Sequence, residues 1–113
     1  MKIIRNSILP PKGFAAINLF GILFARRTAR INSTTLQHEE IHTMQMKEML
    51  YVFFYLWYVA EWLVRLAVHR NAHRAYRTIS FEQEAYDYER DATYRHWRQP
   101  YCWTKYLSRK WNT

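Results

Sequence analysis

The sequence predicts an α+β chain, with a small antiparallel β-sheet at the N-terminus followed by long helices. Three observations carry that expectation. Residues 1–31 are rich in β-forming side chains around a "PPKG" turn. Between Gly21 and Pro100 no glycine or proline interrupts the chain, so helices there meet none of the usual breakers. Half of the 113 residues are apolar and 18% are aromatic, enough for one domain with a modest core.

The elements follow in order. "KIIRNSIL" reads as a first strand, and "PPKG" turns the chain. "FAAINLFGILFARR" reads as a longer strand in which Gly21 marks a bulge or a close backbone approach. Asn32, Ser33, Thr34 and Thr35 each offer a side chain able to cap the next helix. Residues 35–69 are dense in Leu, Met, Glu and aromatics, and predict one long helix or two joined by a slight bend. "RNAHRAYRT" is a connector with helical character. Ser80 followed by Gln83 matches a capping box and predicts a second helix over 80–96. Pro100 then ends the regular structure, leaving an aromatic, basic tail over 98–113.

Charge and cysteine content narrow the function classes. Lys and Arg outnumber Asp and Glu by 17 to 9, a net charge of +8 that favours anionic partners. The basic residues are dispersed and no nucleic-acid-binding motif accompanies them, so a nucleic-acid partner is not expected. Cys102 is the only cysteine; it forms no internal disulfide and fits a reducing compartment, so the expected location is cytoplasmic. Residues 1–25 look loosely like a secretion signal, but "LPPKG" breaks them and Arg26-Arg27 follow without a cleavage site. Met49 to Ala60 is wholly apolar yet well short of the roughly 20 residues that span a bilayer. Extension to Val68 brings in Glu61 and Arg65, spaced to pair on one helix face, so membrane association is an alternative and not the favoured reading.

The chemistry centres on "LQHEEIH". His38-Glu39-Glu40-Ile41-His42 fits H-E-x-x-H, which shuffling this composition produces about once in a hundred chains. On a helix His38 and His42 stand one turn apart on one face, so both rings can reach one ion. A catalytic zinc takes three protein ligands, so a third must come from elsewhere. "SFEQEAYDYE" offers Glu82, Glu84 and Glu89; Glu82 gains from its place in the first turn, where the helix dipole favours a carboxylate. Glu82 and Glu84 are two apart and cannot both face one ion. Glu40 reads as a solvated neighbour, and Gln45, one turn beyond His42, either lines the site or continues the helix, the second being the favoured reading. His69 and His73 read as exposed polar residues, and the stripe Tyr51, Tyr55, Tyr58 and Trp62 as core.

H-E-x-x-H on one helix followed by a Glu on a later one resembles the gluzincin metallopeptidases, and at this size the minigluzincins. Glu82-Gln83-Glu84-Ala85 fits that clan's E-x-x-A, which makes Glu82 the preferred ligand. Tyr86 stands where the clan commonly has an Asp that holds a zinc histidine; Asp87 is the nearest substitute. The resemblance covers residues 14 to 90 and implies one zincin-like domain binding Zn²⁺ through His38, His42 and Glu82. It implies Glu39 as the general base for zinc-dependent peptide hydrolysis, with a peptide or protein substrate paired along the Ala16-to-Phe24 edge strand. Tyr86, Tyr88, Tyr94 and His96 are candidates to stabilise the developing oxyanion. The alternatives are a degenerate zincin that binds peptide or protein without cleaving it, and a membrane-associated helical protein. The sequence leaves the oligomeric state open.

Overall fold

The computed structural model describes residues 1–8, 10 and 14–107. Its three strands are β1 (Lys2–Asn6), β2 (Ala16–Leu19) and β3 (Ile22–Arg26), in the spatial order β1-β3-β2. β2 and β3 form the antiparallel hairpin that the sequence reads as one long strand; Leu19 pairs with Ile22 and Ala16 with Ala25. The turn sits at Phe20 and Gly21, with φ of 54° and 86°, the positive pair that a two-residue hairpin loop needs. Gly21 also lies against the helix that follows. A Cβ there would stand 3.3 Å from the Thr43 methyl, a tight contact that adds to the preference for glycine set by the positive φ.

The expected antiparallel sheet is in fact mixed. β1 runs parallel to β3, with Lys2 beside Ile22 and Asn6 beside Arg26. β1 enters the sheet at the β3 side opposite β2, so the chain crosses over before the hairpin instead of folding back on itself. Of the "PPKG" turn, residues 11–13 lie outside the described residues.

Asn32 is the cap that opens α1 (Ser33–Glu48), its carboxamide oxygen accepting the Thr35 amide at 2.8 Å. The long helix expected over 35–69 breaks after Glu48 and resumes as α2 (Val52–His69). Leu50 and Tyr51 carry φ of 54° and 59°, a left-handed step that costs about 1–3 kcal/mol per residue. No Gly, Pro or Asn announces it. Packing enforces it: the turn lets Phe54 bury against Phe81, with ring centroids 4.5 Å apart. The Tyr101 hydroxyl donates to the freed Glu48 carbonyl at 2.8 Å.

α3 (Ala72–Thr78) follows, opened by Asn71, whose side chain accepts the Arg74 amide. α4 (Ser80–Tyr88) is shorter than the 80–96 helix expected, and α5 (Tyr94–Trp97) is a separate short piece. Ser80 does not cap α4. Its amide and hydroxyl both donate to Glu61, at 2.7 and 2.6 Å, and Gln83 reaches instead to the Thr78 carbonyl. The tail is not wholly irregular: Cys102–Tyr106 forms a 3₁₀ turn that delivers buried Trp103 and Tyr106. Residues 108–113 lie outside the described residues.

Two apolar clusters hold these pieces together. Met46, Phe54, Ile79, Phe81 and Trp103 join α1, α2, α4 and the tail, while Ile41, Ala85 and Tyr94 join α1, α4 and α5. Both flank the face of α1 that carries His38 and His42. α1 is therefore clamped between the sheet on one side and α4 on the other. On the sheet side, the Asn18 carboxamide donates to the Glu39 carbonyl at 2.9 Å and to Thr43 at 3.1 Å.

Candidate metal centre

His38 and His42 extend from adjacent turns of α1, their ring centroids 4.8 Å apart and nearly perpendicular. Glu82 enters from the first turn of α4. One of its oxygens lies 3.1 Å from Nε2 of His38 and 3.0 Å from Nε2 of His42, and the two Nε2 atoms are 3.1 Å apart. All three side chains are buried. His38, His42 and Glu82 thus form a buried His-His-Glu group able to hold a metal ion.

The surrounding hydrogen bonds define what the three atoms offer. Gln45 donates its amide hydrogens to the Phe81 carbonyl and to Glu84, both at 3.0 Å and both acceptors only. Its oxygen must then face Nδ1 of His42, 2.8 Å away, so Nδ1 carries the hydrogen. Nδ1 of His38 likewise lies 2.8 Å from a Glu89 oxygen and donates to it. With both Nδ1 atoms committed outward, both neutral rings present a lone pair at Nε2. Two ring lone pairs and a carboxylate oxygen converge on one point, an arrangement that only a cation or a proton stabilises. The edges of 3.0–3.1 Å fall close to the ~3.3 Å separating ligands on a tetrahedral ion with bonds of about 2.0 Å. The donor set fits a metal.

The electrostatics agree. Burial by itself would lower the His42 pKa, but the Glu82 carboxylate beside it outweighs this and raises it to about 9. Burial pushes the Glu82 carboxyl up, yet His42 and His38 together pull it well below the usual carboxylate range. Glu82 is therefore ionised across the physiological range, and its second oxygen accepts the Tyr58 hydroxyl at 2.7 Å. Burial raises the Glu39 carboxyl, with His42 and His38 drawing it partly back. That carboxylate is a stronger base than an exposed one.

The triad and Glu39 line one cavity of about 840 Å³. Residues 16–19 of β2, the sheet's edge strand, form one wall; Tyr55, Tyr58 and Trp62 of α2 and Tyr76 of α3 contribute the other. Apart from the triad, Glu39, Asn18, His73 and these hydroxyls, the cavity lining is predominantly apolar.

Several residues stand elsewhere than their sequence context implies. Glu84 does not face the triad; it is fully buried among Gln45, Tyr94 and Arg98. Asp87 does not support a histidine and accepts from Tyr106 instead, while Glu89 supports His38. Gln45 is no mere continuation of the helix, because it fixes the His42 tautomer. Glu40 is not simply solvated: it pairs with Arg95 and with the terminal amine of Met1. Tyr86 packs edge-on against His38, with centroids 4.5 Å apart, and its hydroxyl bonds Tyr76 at 3.0 Å. Tyr88 stacks on Tyr94 and His96 is exposed, and none of Tyr86, Tyr88, Tyr94 and His96 lines the cavity. Tyr58, Tyr76 and His73 do line it. For Tyr58 a signal existed, since its stripe has helical spacing. For Tyr76 the sequence carries none, because it depends on how α3 folds back.

No family model, curated protein or solved structure matches this chain.

Proposed function

We propose that the chain is a small zinc-dependent peptide hydrolase of gluzincin type. The observation that carries this reading is the convergence of two Nε2 lone pairs and one Glu82 oxygen, each histidine tied from behind. Two imidazoles and one carboxylate are the donor set of a catalytic zinc site that keeps a fourth position open. Zinc held there would lower the pKa of a coordinated water and polarise a carbonyl.

The chain's own residues supply the rest. Glu39, its carboxyl raised by burial, takes the proton of the attacking water and returns it to the leaving amine. Burial and the Glu82 charge hold the Tyr76 phenol well above its ordinary pKa, so it stays a neutral donor in the cavity, suited to a developing oxyanion. β2 has β3 on one side only, and its other edge can pair with an extended peptide. The apolar wall favours apolar side chains in that peptide.

Elemental analysis of reconstituted protein tests the metal directly. Wild type should retain about one equivalent of zinc and His42→Ala almost none, since an assembled three-ligand site binds tightly at neutral pH. Less than about a tenth of an equivalent in wild type would overturn the reading.

A further inference from the structure

α2 is turned inside out relative to an ordinary surface helix. Its 18 residues hold two charges, Glu61 and Arg65, and both face the protein. Arg65 is 1% exposed and donates to Glu61 at 2.7 Å, and Glu61 also accepts from Ser80. Tyr55 and Tyr58 share that inward arc and face the cavity. The opposite arc is wholly apolar. Phe53, Leu56, Leu63, Val64 and Val68 are each 54–63% exposed, and at 100° per residue they fall on one continuous side of the helix. Among the described residues α2 is the one helix long and apolar enough to cross a membrane. Water-facing helices place their polar residues outward, and a contiguous apolar face of this length marks an interaction surface.

Charge selects the occupant. Between Met49 and Phe81 the only acidic residue is Glu61, which is turned inward, and Glu48 just before that stretch is paired with Arg98. Exposed Lys47 stands before one end of the face, and exposed Arg70 and Arg74 stand at the other. A second copy packed face to face would set one cationic end against the other. An anionic lipid surface meets both the apolar arc and the cationic ends. α3 packs along α2 and exposes His73 and Arg74, so α2 has protein on one side and cannot be ringed by lipid.

We infer that α2 lies in the plane of an anionic bilayer, with its Phe53–Val68 face in the acyl region and Lys47, Arg70 and Arg74 at the headgroups. The cavity wall formed by Tyr55, Tyr58 and Trp62 then sits on the same helix, just above the lipid surface. This is independent of whether the triad holds zinc.

Flotation with lipid vesicles tests it. The full chain is mixed with vesicles of phosphatidylcholine, alone or with phosphatidylglycerol, and centrifuged through a density gradient. Wild type should float with the anionic vesicles and much less with the neutral ones. Leu56→Glu combined with Leu63→Glu should lower binding at least about a hundredfold while near-ultraviolet circular dichroism stays native, because only solvent-facing side chains change. Arg70→Ala with Arg74→Ala should weaken binding to anionic vesicles and abolish their advantage over neutral ones. Wild type remaining unbound with both vesicle types would overturn the inference, whether it runs as a monomer or as a dimer that the Glu variants dissociate. Equal flotation of wild type and the double Glu variant would also overturn it.

Discussion

α1 and α2 are neighbours in sequence and are built on opposite principles. α1 turns Gln37, His38, His42 and Gln45 toward the protein. α2 leaves most of its large apolar residues outside. In α1 the burial of polar groups is tolerable because each has a partner supplied by another element: Glu82 and Glu89 for the histidines, Phe81 and Glu84 for Gln45, Asp91 for Gln37. Such a network specifies one arrangement, because a single missing partner leaves a desolvated group. In α2 the exposed face has no partner among the described residues and contributes little to holding the fold. The difference teaches that one helix is organised for a site and the other for a surface. Substitutions should therefore have opposite consequences on the two.

The largest expected effect is on chemistry at α1. Glu39→Gln should leave zinc content and circular dichroism unchanged and lower cleavage of a mixed peptide library by about 10²–10⁴-fold, as loss of a general base does. Equal cleavage by both proteins would remove Glu39 from the mechanism. Metal binding with no cleavage by wild type would favour the binding-module alternative.

Next in size is the buried pair on the inner face of α2. Glu61→Ala removes the carboxylate that buried Arg65 donates to and the acceptor of the Ser80 amide and hydroxyl. Chemical denaturation should show a loss of about 3 kcal/mol, as breaking one side of a buried ion pair does. A loss below about 0.5 kcal/mol would place this face in the same class as the outer one.

The pH dependence follows from His42. Its pKa is raised from 6.5 to about 9 by Glu82, so in chelator-stripped protein the protonated form is stabilised by folding. That contribution is fully present below pH 6.5 and is lost as pH rises through about 9. Zinc must displace the same proton, so its affinity should rise about tenfold per pH unit across that window and then level off. Competition with a chromophoric chelator reads this directly, and a flat profile would show that His42 does not ligate.

Gln45→Leu keeps the packing volume but frees Nδ1 of His42. Zinc affinity should fall about 10–100-fold with the fold retained, the usual cost of losing a hydrogen bond behind a ligating histidine. The smallest effect belongs to the outer face of α2: Leu63→Gln should change unfolding stability in detergent-free buffer by less than about 0.5 kcal/mol. A large loss there would mean that the face is buried in solution.

Much of the site was legible because its first half is local. Spacing of four on a breaker-free helix puts His38 and His42 on one side whatever surrounds them. Position in the E-x-x-A pattern and in a first helical turn distinguished Glu82 from Glu84. The pairing of Glu61 with Arg65 was legible for the same reason. Asp87 was a reasonable substitute by proximity in sequence, but one residue of helix turns a side chain by 100°, and Glu89 is the carboxylate that comes round to His38.

What the sequence determined by itself was the α+β order, the side of α1 that carries both rings, and the arc of α2 that gathers every polar residue. Each follows from periodicity along a single element. What only the tertiary structure decided was the parallel placement of β1, the left-handed break at Leu50 and Tyr51, and the entry of Tyr58 and Tyr76 into the cavity. It also decided that the polar arc of α2 faces inward. Periodicity divides a helix into two faces, but which face meets the protein depends on partners distant in sequence: Ser80 for Glu61 and Glu82 for Tyr58.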